Sequence, residues 1–180
     1  MASDNFNRAN GAIGADWTDQ LNTWLVTSNH SAVTNTGIDS LTFYDVGTWA
    51  DDQTSKAILT LDGIRYAGVS VRASGTGGSS NGYVFLTNGT FTGLYKVSGG
   101  VFTSLSTSFT HPASGSDVKL GVVGTNLTVY DDGASLGGAS DGTHASGNPG
   151  LYALDSGVGT SYSDDWVGTG DARRFILGTH

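Results

Sequence analysis

Ile64-Arg65-Tyr66-Ala67-Gly68-Val69-Ser70-Val71-Arg72 is followed by Ser74-Gly75-Thr76-Gly77-Gly78-Ser79-Ser80 and then by Tyr83-Val84-Phe85-Leu86. In an extended chain successive side chains point to opposite faces, so Val69 and Val71 lie on one side and Ser70 and Arg72 on the other. The Gly- and Ser-rich stretch between the two apolar runs has no periodicity and reads as the loop joining two strands. The same punctuation recurs outward from this segment. Lys56 to Leu61 is closed by Asp62-Gly63, Tyr83 to Leu86 by Asn88-Gly89, and Phe91 to Val97 by Ser98-Gly99-Gly100, which leads into Val101 to Leu105. Val118, Leu120 and Val122 share a face. Gly124-Thr125-Asn126 then reverses the chain into Leu127 to Tyr130, which Asp131-Asp132-Gly133 closes. Leu151 to Leu154, Tyr162 to Val167 and Arg174 to Leu177 complete the expected strands. About a dozen strands at near-regular spacing are the signature of a sandwich or barrel. Gly133 to Gly150, which carries Asp141 and His144, reads as the longest structureless stretch, and Pro112 and Pro149 are expected in loops.

Composition supports the all-β reading. Of 180 residues, 28 are Gly, and all 16 acidic residues are Asp. Lysine occurs only at Lys56, Lys96 and Lys119. Glu and Lys favour helices, whereas Asp and Gly favour turns. Aromatic residues, at 10%, are spread along the whole chain, which argues against disorder. The length suits one domain over 1–170, with 171–180 as a C-terminal tail or last edge strand. A net charge of −8 argues against a nucleic-acid partner, and the absence of an apolar run of ~20 residues against a membrane span. With no Cys, neither disulfides nor thiolate sites are available.

Catalysis is not expected. Glycoside hydrolysis needs two carboxyls converging on one bond. Asp51-Asp52, Asp131-Asp132 and Asp164-Asp165 are sequence neighbours, which in strands diverge, and Asp131-Asp132-Gly133 reads as a turn. His30, His111, His144 and His180 lie in no nucleophile or zinc pattern and read as surface or loop residues.

Several segments, in order, resemble the concanavalin A-like lectin/glucanase superfamily, and specifically its LamG-like jelly-roll branch. They are Asp4-Asn5-Phe6-Asn7-Arg8-Ala9-Asn10-Gly11 with Gly14 and Trp17, Ala67 to Arg72, Gly82-Tyr83, Leu94 to Val97 with Gly99-Gly100, Asn126 to Gly133, Gly147 to Leu151, and Asp164 to Gly168. The resemblance implies a two-sheet antiparallel jelly-roll sandwich. Each motif alone is weak, and their shared order specifies fold more than function. The superfamily's glucanases use paired Glu, which this chain lacks. Its opening segment is similar to versions found in bacteriophage structural proteins, and other similar domains occur in secreted bacterial carbohydrate-binding proteins. The resemblance therefore implies a non-enzymatic virion protein (capsid decoration or tail-associated, made without an export signal), or alternatively a secreted carbohydrate-binding module.

Candidate binding residues follow from chemistry. Sugars pack their C–H faces on aromatic rings and hydrogen-bond to planar polar groups. Arg72, Tyr83 and Tyr95 fall on strands expected to be neighbours and to share one face; Trp49, beside Asp51-Asp52, is a second platform. Packing within the sandwich is the competing role for each. Trp17, Trp24 and Trp166 are assigned to the core or domain ends. No cofactor is required, but the resemblance implies that a structural Ca²⁺ can sit near the chain ends, with Asp4, Asp164 and Asp165 as ligands; turn capping by Asp is the competing reading. Arg173, Arg174 and Phe175 in the tail are candidates for docking onto a capsid or tail partner or another copy.

Overall fold

The protein is described by a computed structural model covering residues 1–33, 37–154 and 161–171. The strands, in chain order, are β1 (Ala2–Asp4), β2 (Gly11–Ala12), β3 (Trp17–Leu21), β4 (Trp24–Thr27), β5 (His30–Val33), β6 (Asp39–Tyr44), β7 (Trp49–Thr60) and β8 (Tyr66–Ser74). They continue with β9 (Asn81–Thr87), β10 (Thr92–Ser98), β11 (Val101–Ser106), β12 (Ser116–Val123), β13 (Asn126–Asp131), β14 (Ala134–Ser140), β15 (Asn148–Leu154) and β16 (Tyr162–Asp171). One 3₁₀ turn, Gly77–Ser79, sits in the β8–β9 loop, and no α-helix occurs among the described residues.

These strands form two antiparallel sheets, the two-sheet jelly-roll sandwich that the sequence implies. One runs β14-β13-β12-β7-β16-β5-β4-β2, with β1 also on β16; the other runs β11-β10-β9-β8-β15-β6-β3. The core lies between them. Ala57, Leu59, Val118, Leu120, Val129 and Trp166 come from the first sheet and Val69, Val71, Tyr83, Phe85, Leu94 and Leu151 from the second, all essentially inaccessible to water. The expected alternation is realised over Tyr66–Val71, with Val69 and Val71 inward, and breaks at Arg72. A buried polar tie joins the sheets: the Trp166 Nε1–H donates to Ser55 Oγ at 2.9 Å, and Ser55 Oγ donates to the Gly150 carbonyl at 2.7 Å.

Three loop expectations are corrected. The stretch from Gly133 is not structureless, because Ala134–Ser140 is a strand on the edge of the nine-stranded sheet, paired with β13. Its residues are small and mostly exposed, and Gly137 (φ +117°) lies at a register shift, so it shows no apolar alternation. Pro149 lies inside β15, at the shift between Asn148 and Gly150, where a missing N–H is tolerated. His30 lies in β5 rather than a loop, stacked on Tyr162 at 3.8 Å. By contrast, Asp132 (φ +47°) and Gly133 (φ +82°) make the expected tight turn. Residues 174–177 and His180 lie outside the described residues.

The N-terminus is tied in by one carboxylate. Asp4 accepts from Arg8 Nη1 and Nη2 at 2.6 and 3.0 Å, from Trp17 Nε1 at 2.9 Å and from the Phe6 N–H at 2.8 Å. Trp17 in turn packs on Trp166, with ring centroids 4.7 Å apart. Burial disfavours the Asp4 anion, but these donors outweigh it and hold the carboxyl below its ordinary value. A carboxyl that is more acidic folded than unfolded contributes stability above its unfolded value near ~4, and loses it as pH falls through the folded value. Asp4→Asn is therefore expected to cost about 1.5–3 kcal/mol at neutral pH and less at pH ~3, as urea midpoints at the two pH values will show.

Candidate functional site

The seven-stranded sheet is apolar on both faces. Residues directly opposite one another in a ladder share a face. Leu41, Tyr152, Gly68, Leu86 and Gly93 form one such row across five strands. Asp39, Leu154 and Tyr66 form a second, and Val84 faces Tyr95. This set is out of phase with the core residues, so it lies on the outer face. Yet Leu41, Val84, Val97 and Tyr152 are buried, because the rings of Tyr66, Tyr95 and Phe102 cover them while remaining partly exposed. Gly93 makes room for this cover: a Cβ there would sit 2.4 Å from Tyr95 Cε2.

The result is an open groove of about 290 Å³ with Tyr66, Phe91, Tyr95, Phe102 and Tyr152 along it and Asp39 at one end. Its rings meet edge to face: Tyr66 with Phe91 at 5.9 Å, Phe102 with Tyr152 at 5.9 Å and Tyr95 with Phe102 at 6.3 Å. The Tyr152 hydroxyl donates to Asp39 Oδ1 at 2.5 Å. Burial, and then the Asp39 charge, push the Tyr152 phenol far above its ordinary value. Tyr95 is raised by burial and then by Tyr66 and Asp39. Both hydroxyls therefore stay protonated at neutral pH, and the groove combines apolar ring surface with hydroxyl donors and one carboxylate acceptor. Asp39 is the one carboxylate lining it among the described residues.

Of the residues expected to bind, Tyr95 is in the groove. Tyr83 faces Val71 and Lys96 instead and is fully buried in the core, so it does not share a face with Tyr95. Trp49 is also in the core, edge-on to Tyr44. Arg72 leaves the alternation altogether: at φ +51° and a register shift, its side chain turns to the loops at the sandwich end. Asp39, Tyr66, Phe91, Phe102 and Tyr152 were not singled out by sequence. Their signal is the second apolar phase, Val84 and Leu86 alternating with Tyr83 and Phe85, which marks a strand covered on both faces.

Tyr83 has a positioning role. Its hydroxyl donates to Asp141 Oδ1 at 2.8 Å and accepts from the His144 N–H at 3.0 Å, while Lys96 Nζ lies 3.2 Å from Asp141. Burial opposes ionisation of Asp141, but donors on Thr143, Tyr83 and Lys96 hold its carboxyl well below the ordinary range. His144 closes the loop by bonding to Val97 O at 2.6 Å. Tyr83→Phe is expected to cost about 1–2 kcal/mol and to speed amide exchange at Thr143 and His144 with little change in β8–β9, measurable by NMR hydrogen exchange.

Two of the three expected metal ligands, Asp4 and Asp164, are otherwise engaged. β1 and β16 pair, with Asp4 opposite Trp166, as a site near both chain ends needs. Asp4, however, serves Arg8 and Trp17, and Asp164 lies 3.2 Å from His30 Nδ1. No group of three or more His, Cys, Asp or Glu side chains is placed to hold a metal among the described residues. Asp4, Asp165, Lys56 and Trp166 border a larger hollow of about 590 Å³ on the other sheet. It has no aromatic platform, since Trp166 is fully buried, and Lys56 is paired with Asp117. Arg173, Arg174 and Phe175 lie outside the described residues.

No family model and no curated protein matches the chain, but solved structures share its fold. The carbohydrate binding module CBM66 from Bacillus subtilis superposes with a TM-score of 0.69 at 19% identity, covering 85% of this chain and 94% of its own. The carbohydrate recognition domain of Emp46p, in a potassium-bound form, gives 0.59 at 12% identity over 88% and 90%. The Crh5 transglycosylase gives 0.54 at 11% identity over 95% and 84%. At these identities the likeness establishes a lectin-like jelly roll, a fold used by binding domains and also by an enzyme.

Proposed function

We propose that this domain binds carbohydrate without cleaving it, through the aromatic groove on the outer face of the seven-stranded sheet. The observation that carries this reading is the row of partly exposed rings, Tyr66, Tyr95 and Phe102, beside Asp39 and protonated tyrosine hydroxyls. Such a surface suits a neutral sugar, whose C–H faces stack on rings while its hydroxyls exchange hydrogen bonds with tyrosine and carboxylate. An anionic sugar is disfavoured by Asp39 in a partly desolvated site. Fold neighbours described as carbohydrate-binding support the reading.

A glycan array, followed by calorimetry on the best neutral ligand, tests it. Tyr95→Ala is expected to weaken binding at least ~10-fold, about 1.4 kcal/mol. Gly93→Ala, which drives a methyl into the Tyr95 ring position, is expected to weaken it in the same direction. Wild-type protein that binds no neutral glycan, or binding unaffected by both changes, sinks the groove assignment.

For the biological setting, the opening Asp4-Asn5-Phe6-Asn7-Arg8-Ala9-Asn10-Gly11 favours a bacteriophage virion, as capsid decoration or tail component, over a secreted bacterial module. Finding the chain in purified virions by mass spectrometry would support that placement, and finding it only in culture supernatants of an uninfected bacterium would remove it.

A further inference from the structure

At the end of β8 away from Tyr66, a second hollow of about 300 Å³ opens among the loops, lined by Asp51, Asp52, Arg72, Gly124, Thr125 and Gly142. Arg72 forms its inner wall. The side chain is 3% exposed, and it is held on two of its three nitrogens: Nε donates to Asp51 O at 2.9 Å and Nη1 to His144 O at 2.8 Å. The Arg72 N–H is fixed as well, by Gln53 Oε1 at 3.1 Å. Nη2 makes no hydrogen bond among the described residues. It approaches only Asp52 Oδ1, at 3.9 Å, beyond hydrogen-bonding reach. Asp52 is itself oriented, because its Oδ1 accepts from the Gly124 N–H at 2.7 Å, yet its side chain is 58% exposed. With the other two nitrogens engaged, Nη2 is the donor of this enclosed guanidinium that stays open to the hollow.

We infer that this hollow is a second sugar-binding site, in which Arg72 Nη2 and the Asp52 carboxylate grip neighbouring hydroxyls of one neutral sugar ring. The charge pattern selects the ligand class. The carboxylates of Asp51 and Asp52 repel an anion, and a cation leaves the Arg72 Nη2 donor without an acceptor. What fits is a neutral group that accepts from nitrogen and, on the adjacent oxygen, donates to carboxylate, as a vicinal diol does. The separation of Nη2 and Oδ1 is too long for mutual satisfaction and short enough for such a pair to bridge. Tyr66, in the groove, and Arg72 are six positions apart on β8, or roughly 20 Å along a strand, so the two sites are distinct. This extends the carbohydrate-binding reading without depending on the groove.

The test is an amide NMR titration of the full chain with methyl glycosides of glucose, galactose and mannose, and with fructose. At least one neutral sugar is expected to shift the Gly124, Thr125, Gly142 and Ala145 amides, while glucuronate binds more weakly. Asp52→Asn, which keeps the Gly124 contact but removes the charge, is expected to weaken this response at least ~5-fold, and Thr125→Trp, which fills the hollow, to abolish it. Tyr95→Ala leaves it intact. No shift of these amides at roughly 0.1 M sugar overturns the inference. So does a response indifferent to both loop variants, or one lost with Tyr95→Ala. Loop shifts without groove shifts would instead retain this site and remove the groove.

Discussion

The register of β8 and β9 is the constraint on which both faces of the seven-stranded sheet depend. Ladder partners Val69–Phe85 and Val71–Tyr83 put one set of side chains into the sandwich, while Gly68–Leu86 and Ser70–Val84 put the other on the outside. A one-residue slip would exchange the two sets. It would send Tyr83, whose hydroxyl holds Asp141, outward and bring Ser70 into the core. Register is strongly specified here because each face has its own packing partners: the opposite sheet on one side and a shell of aromatic rings on the other.

That aromatic shell explains why an outer face can hold fully buried aliphatic residues. In a sandwich whose outer faces are solvated, strands alternate apolar with polar. Here Leu41, Val84 and Val97 have no sheet above them, and Tyr66, Tyr95 and Phe102 cover them instead. The rings thereby serve stability while leaving part of their own surface exposed. Close backbone approach is part of the arrangement, since side chains at Gly68 or Gly93 would collide with Phe85 O or the Tyr95 ring.

Much of the fold was legible because the strands carrying the core obey a period of two and end in Gly, Asn or Asp turns. What escaped had no such signal. Ala134–Ser140 is small-residue edge strand, stabilised by backbone pairing more than by apolar burial. The groove escaped for a different reason: Asp39, Tyr66, Phe91, Phe102 and Tyr152 come from separate parts of the chain, and only sheet order brings them together. Arg72 was recognised as polar-facing, but its left-handed backbone redirects it from the sheet surface to the loop end. Tyr83 has the composition of a ligand platform and the placement of a core residue whose one polar atom fixes a loop.

The pairing of β1 with β16 has a geometric consequence for presentation. Ala2 lies opposite Gly168 in one ladder, in the sheet that packs against the inner side of the groove-bearing sheet. The first and last described strands therefore share one side of the sandwich, and the rings lie on the other. β1 and the Trp166–Gly168 part of β16 are thus held in one patch opposite the aromatic face. The groove and the β1–β16 ladder therefore occupy different sheets of the sandwich.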